Sequence, residues 1–124
     1  MIAARVLLIE DDDDNRELMA EVLVDAGFEV VTARSGSEGR ARLAGGAFRL
    51  VMSDVGLPDV EGLELAREVR RRWPGVRVLL VTGFADRPEL DAACGREIDA
   101  VLRKPLGPDT LISAVRAVLD DKGS

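Results

Sequence analysis

Polar side chains capable of chemistry stand directly behind short, largely apolar runs in this sequence. Glu10 and Asp11 follow Val6-Leu7-Leu8-Ile9, Asp54 follows Leu50-Val51-Met52-Ser53, Thr82 follows the run from Val76 to Val81, and Lys104 follows Ala100 to Arg103. Three carboxylates, one hydroxyl and one ammonium make up the set. Two carboxylates roughly 4 Å apart repel by about 4 kcal/mol at an effective dielectric of about 20. A single lysine leaves these acids undercompensated, whereas a divalent cation balances them, and an all-oxygen ligand set with open positions suits Mg²⁺. With that charge in place, Asp54 becomes a nucleophile toward phosphorus, as carboxylates are in aspartyl-phosphate chemistry. Lys104 would help stabilise the transferring phosphoryl oxygens, and Thr82 would donate a hydrogen bond to one of them. The chain has no histidine, which removes the commonest general base and the Ser/His/Asp and Cys/His triads, so the phosphodonor must lie outside it.

Such a set can act together only if the elements deliver it to one place. Val6 to Ile9 is a continuous apolar run of the kind buried on both faces of a parallel sheet. A helical stripe of Leu18, Met19, Val22, Leu23 and Ala26 follows over residues 14–26, with Asp13 or Asp14 as N-cap and Gly27 just past its end. The alternation continues with a strand at 29–33, a helix at 37–44, a strand at 50–53, a helix at 62–73 carrying Leu65, Val69 and Trp73, and a strand at 76–81. A short helix around 87–94 with Leu90, Ala93 and Cys94, a strand at 100–103 and a helix at 108–119 complete the order. Repeated β-then-α units predict an open, doubly wound parallel α/β sheet, whose ligands bind beyond the C-terminal ends of the strands. Those ends are where the acids, Thr82 and Lys104 fall.

Composition narrows the partners. The chain has 124 residues and a formal net charge of −6, which predicts one domain and argues against binding nucleic acid through its phosphates. A lone cysteine, Cys94, permits no internal disulfide and reads as a small packed residue in a reducing, cytoplasmic setting. No apolar run approaches the roughly eighteen residues needed to span a bilayer. Asp12, Asp13 and Asp14 read as a solvated acidic turn capping the first helix, and Arg70-Arg71-Arg72 as an exposed helix face.

The motifs Leu7-Leu8-Ile9-Glu10-Asp11, Met52-Ser53-Asp54-Val55-Gly56-Leu57-Pro58, Gly62, Val81-Thr82-Gly83 and Lys104-Pro105 occur in order over essentially the whole chain. Together they resemble the receiver domain of bacterial two-component response regulators. The resemblance implies the flavodoxin-like strand order 2-1-3-4-5, with Asp54 as phosphoacceptor and Mg²⁺ held by Glu10, Asp11, Asp54 and the Gly56 carbonyl. It further implies Thr82 as the switch hydroxyl, Lys104 as the phosphoryl-binding cation and a cis peptide to Pro105. The implied phosphodonor is a histidine kinase or a histidine phosphotransfer protein. Output is then a shape change that alters contacts with a downstream protein, centred on the segment after Thr82, the fourth helix and the fifth strand. Such a domain is a signalling phosphoacceptor rather than an enzyme. Val101 stands where the family often carries Tyr or Phe, so an aromatic switch is not expected, while Gly56 leaves an open approach beside Asp54 and Phe84 lies two residues beyond Thr82.

Rival functions fit less well. Asp11, Asp13 and Asn15 have the alternation of an EF-hand loop, but Arg16 and Val22 occupy its turn-glycine and bidentate-glutamate positions. An FMN carrier of similar fold would need a Ser/Thr/Gly-rich loop after the first strand, where this chain has acids. The alternative enzymatic reading is a metal-dependent phosphatase with an aspartyl nucleophile, which typically carries a second acid where Gly56 stands. The expectation is a single receiver domain over residues 1–124, core about 5–119, with the Met1 start mildly favouring a stand-alone regulator.

Overall fold

The computed structural model describes residues 3–83 and 88–120. Ten elements alternate along it: β1 Arg5–Ile9, α1 Asp13–Asp25, β2 Glu29–Ala33, α2 Gly36–Gly45, β3 Leu50–Asp54, α3 Gly62–Arg72, β4 Arg77–Thr82, α4 Pro88–Ala93, β5 Ala100–Arg103 and α5 Pro108–Asp120. The strands form one parallel sheet in the order β2-β1-β3-β4-β5. The doubly wound α/β fold and strand order expected above are therefore those of the protein.

Each central strand is apolar throughout because both its faces are covered. Leu7, Ile9, Val51, Val78 and Leu80 pack with Leu43, Leu65, Val69 and Leu90 beneath α2, α3 and α4. On the opposite face, Val6, Leu8, Met52, Leu79 and Val81 pack with Met19, Leu23, Leu111 and Val115 beneath α1 and α5. Burying one such side chain contributes about 1.5–3 kcal/mol, so the two layers hold the strand ends in fixed register.

Several local expectations are corrected. The N-cap of α1 is Asp12, not Asp13 or Asp14; its extended backbone lets the carboxylate accept from the Asn15 amide at 2.8 Å. Asp13 and Asp14 instead occupy the first turn, where negative charge suits the helix dipole. Leu18 is 61% exposed, because Met19 and Leu23, one turn apart, carry the burial. Cys94 is exposed rather than packed: α4 ends at Ala93 and the chain turns away through Gly95, whose φ is +80°. Arg70 is not simply solvated, since its guanidinium donates to Asp99 and to the Arg96 carbonyl. The expected α4 start at Arg87, together with Phe84, lies outside the described residues.

Candidate functional site

Register brings the chemistry together. Ile9 pairs with Ser53, Asp54 with Val81 and Thr82 with Arg103, so Glu10, Asp54, Thr82 and Lys104 emerge at the same edge of the sheet. Asp54 and Thr82 are the last residues of β3 and β4 rather than the first beyond them. Pairing continues past each end, through Val55 N–H to the Val81 carbonyl at 2.9 Å and Lys104 N–H to the Thr82 carbonyl at 2.8 Å.

Glu10, Asp11 and Asp54 each place a carboxylate oxygen within 4.8 Å of the others. Glu10 is only 2% exposed; its carboxylate accepts from Lys104 Nζ at 3.0 Å and from the Asp12 amide at 3.3 Å. Burial raises its pKa above the ordinary glutamate value, with the Asp54 charge adding to the shift against the opposing effects of Lys104 and Asp12. Lys104 also lies 3.7 Å from Asp54 Oδ2. Burial alone would lower the lysine pKa, but the Glu10 hydrogen bond and the Asp54 charge outweigh it and leave the pKa raised. One ammonium thus serves two of three crowded carboxylates, which is the charge imbalance a divalent cation corrects, and the donor set is oxygen throughout.

Thr82 is fully buried at the end of β4. Gly56 is exposed, two residues beyond Asp54, and bridges to Glu61 as the loop folds back. That return is tight: the Gly62 amide donates to the Val55 carbonyl at 2.8 Å, and a Cβ on Gly62 would fall 2.6 Å from Val55 Cα. The peptide between Lys104 and Pro105 is cis. Val101 is partly buried and packs on the core, so no aromatic ring stands at that position of β5.

Sequence reading missed three contacts around this site. Arg16 donates to the Glu10 carbonyl at 3.0 Å and pairs with Asp13, a link whose only sequence signal is its i, i+3 spacing. The Asp12 amide steadies Glu10, as given above. Asp59 accepts from the amides of Gly36 and Ser37, at 2.9 and 2.8 Å, across more than twenty residues of chain.

Comparison with known proteins agrees with this fold. The family model for the response regulator receiver domain matches residues 6–116. The response regulator receiver protein CpdR of Brucella abortus is 32% identical over 118 residues, covering 93% of this chain and 96% of the relative. The transcriptional regulatory protein GlrR of Escherichia coli is 32% identical over 117 residues, and there the chain spans only 26% of the relative's length. Among solved structures, a CheY-like receiver domain protein from Methanospirillum hungatei superposes with a TM-score of 0.90 at 30% identity, covering 98% of both chains. The response regulator TrrA of Thermotoga maritima, solved in complex with Mg²⁺-BeF, superposes with a TM-score of 0.83 at 29% identity, covering 93% of this chain and 98% of that one.

Proposed function

The chain belongs to the response regulator receiver domain family of two-component systems, and from that premise we propose that it takes a phosphoryl group onto Asp54 in a reaction that depends on Mg²⁺. The observation that carries the reading is the convergence of Glu10, Asp11 and Asp54 within 4.8 Å beside the Lys104 ammonium. Glu10, Asp11, Asp54 and the Gly56 carbonyl would hold Mg²⁺, which would supply positive charge to the phosphoryl oxygens. An Asp54 carboxylate oxygen attacks phosphorus as the P–N bond of an external phosphohistidine breaks, and the departing imidazole takes up a proton. Lys104, kept protonated by its two carboxylate neighbours, stabilises negative charge on the transferred group. The Thr82 hydroxyl donates to a phosphoryl oxygen once the group is in place.

The donor lies outside the chain, which has no histidine of its own, and membership of the receiver family makes it a histidine kinase or a histidine phosphotransfer protein. The product is a changed protein surface read by a downstream protein partner, and the domain acts as a signalling phosphoacceptor rather than a turnover enzyme. Val101 in β5 packs on the core, so a change that reaches this strand has no ring to swing there. Such donors place the domain in the cytoplasm, and no helix among the described residues is long and apolar enough to cross a membrane.

Intact-mass spectrometry after incubation with Mg²⁺ and acetyl phosphate tests the reading. One phosphoryl group should add to the native chain, and none without Mg²⁺ or in Asp54→Asn. Addition that persists in Asp54→Asn, or that ignores chelation of Mg²⁺, would overturn it.

A further inference from the structure

Gly56 presents a positioning problem that the strand ends do not solve. A backbone carbonyl serves as a metal ligand only if its peptide plane is held to within about 0.5 Å and 10–20° of the required geometry. Gly56 has no side chain to anchor it, and a Cβ built there would meet nothing within 4 Å. Glycine is also the residue whose backbone is least restricted. The orientation of its peptide must therefore be imposed from the flanks of the loop.

One flank is fixed by the Gly62 amide on the Val55 carbonyl. The other restraint is Asp59, three residues beyond Gly56, whose two carboxylate oxygens accept separately from Gly36 N–H at 2.9 Å and Ser37 N–H at 2.8 Å in the first turn of α2. These bonds, Ser37 first, hold the Asp59 carboxyl below its usual pKa. Packing there leaves no slack: a Cβ on Gly36 would fall 2.3 Å from Val60 Cγ1 and 3.2 Å from Asp59 Oδ1. The same turn of α2 already has its own cap, with Ser35 Oγ accepting from the Glu38 amide at 3.1 Å and Glu38 accepting from the Arg34 amide at 3.0 Å. Those bonds leave the Gly36 and Ser37 amides of the first turn open, and Asp59 takes both, so that one carboxylate ties the loop to the turn.

We propose that Asp59 is a positioning residue for the cation site, clamping the Asp54–Gly62 loop to the first turn of α2 so that metal binding at the strand ends and the docking of that turn are one coupled equilibrium. The inference rests on the reading of Glu10, Asp11, Asp54 and Gly56 as the Mg²⁺ site. Coupling of this kind is reciprocal: if the clamp favours the cation, the cation tightens the clamp by the same factor.

Two measurements test it. Calorimetric titration with Mg²⁺ should show affinity weakened by about fivefold or more in Asp59→Ala, the lower end of ordinary coupling between sites. Ser35→Ala removes the native cap of the same helix while leaving the loop contacts in place, and should bind Mg²⁺ as the wild-type chain does. In the wild-type protein, amide exchange at Gly36 and Ser37, followed by NMR, should slow when Mg²⁺ is added; this readout needs no variant. Equal Mg²⁺ affinity in Asp59→Ala, equal weakening in Ser35→Ala, or exchange at Gly36 and Ser37 indifferent to Mg²⁺ would each overturn the clamp and leave the metal site standing. A wild-type chain that binds no Mg²⁺ would overturn the metal site and the clamp with it.

Discussion

Lys104 donates to the buried Glu10 carboxylate at 3.0 Å across 94 residues of chain, and in doing so it occupies the charge that a cation would otherwise meet. The ammonium therefore has two opposed effects. It offsets repulsion among the carboxylates, and it would compete electrostatically with a bound cation.

Substituting Lys104→Met should separate these effects. The metal-free protein should lose about 1–3 kcal/mol at neutral pH, because a buried Glu10 carboxylate is left without its cation; the figure is kept below that of a fully buried pair because the ammonium is 26% exposed. Mg²⁺ should bind several-fold more tightly by calorimetry, while phosphorylation by acetyl phosphate slows. Weaker Mg²⁺ binding in the variant would show that Lys104 orders the carboxylates rather than competing for them.

A second ionic contact ties α2 to α3. Glu68 pairs with Arg40 at 2.9 Å and with Arg72 at 2.8 Å. Burial would raise its pKa, but the hydrogen bonds from Arg72 and Arg40 prevail and hold it below the ordinary value of 4.5. A depressed carboxylate pKa means that the unfolded chain binds the proton first as pH falls. The stabilisation is therefore complete above pH 4.5 and is lost as pH drops through the native pKa. Unfolding free energies of wild type and Glu68→Gln from urea titrations should differ by about 1 kcal/mol at neutral pH and converge in acid. A gap that widens in acid would contradict the assignment.

Asp99 is the polar keystone at the other end of the sheet. Its carboxylate accepts from the Val78 amide at 2.8 Å and pairs with Arg77 at 3.3 Å and Arg70 at 3.4 Å. Asp99→Ala should cost about 2–3 kcal/mol, since it strands a backbone donor and removes the counter-charge of two guanidinium groups. Asp99→Asn, which retains an acceptor, should cost less. Both variants should still accept a phosphoryl group, because the site lies at the opposite edge; loss of phosphorylation in a folded Asp99→Asn would refute that separation.

The strand-end constellation was legible in the sequence because its positions are fixed by burial. Strands covered on both faces leave little freedom of register, so the polar residues that close the strands land at the same edge. The cap of α1 was not legible, because four consecutive aspartates offer the same side chain at every candidate position and only the backbone at Asp12 decides. Leu18 extends the apolar stripe on paper, yet the narrow contact of α1 with the sheet is filled by Met19 and Leu23. Asp59 and Asp99 could not be found at all, since each acts through backbone amides more than twenty residues away and such amides leave no mark in the residue pattern.

The two glycines of the loop after β3, Gly56 and Gly62, should respond differently to the same substitution. A methyl group on Gly62 would lie 2.6 Å from Val55 Cα and 3.0 Å from the Asp54 carbonyl oxygen, both backbone atoms that cannot swing aside. Gly62→Ala must therefore displace the segment that carries Asp54, at a cost of about 1–3 kcal/mol. The displacement reaches the carboxylate itself, so Mg²⁺ affinity and the rate of phosphorylation by acetyl phosphate should fall along with stability. At Gly56 the added methyl meets no atom within 4 Å, and φ there is not positive, so Gly56→Ala should leave the unfolding free energy within about 0.5 kcal/mol of wild type. Any effect of Gly56→Ala should appear at the open approach to the phosphoryl group, as a changed lifetime of the modified chain in a dephosphorylation time course. Denaturation curves for the two variants, read beside their Mg²⁺ titrations, decide the matter: a destabilised Gly56→Ala or an unperturbed Gly62→Ala would mean that the loop is held by contacts other than the Gly62 return.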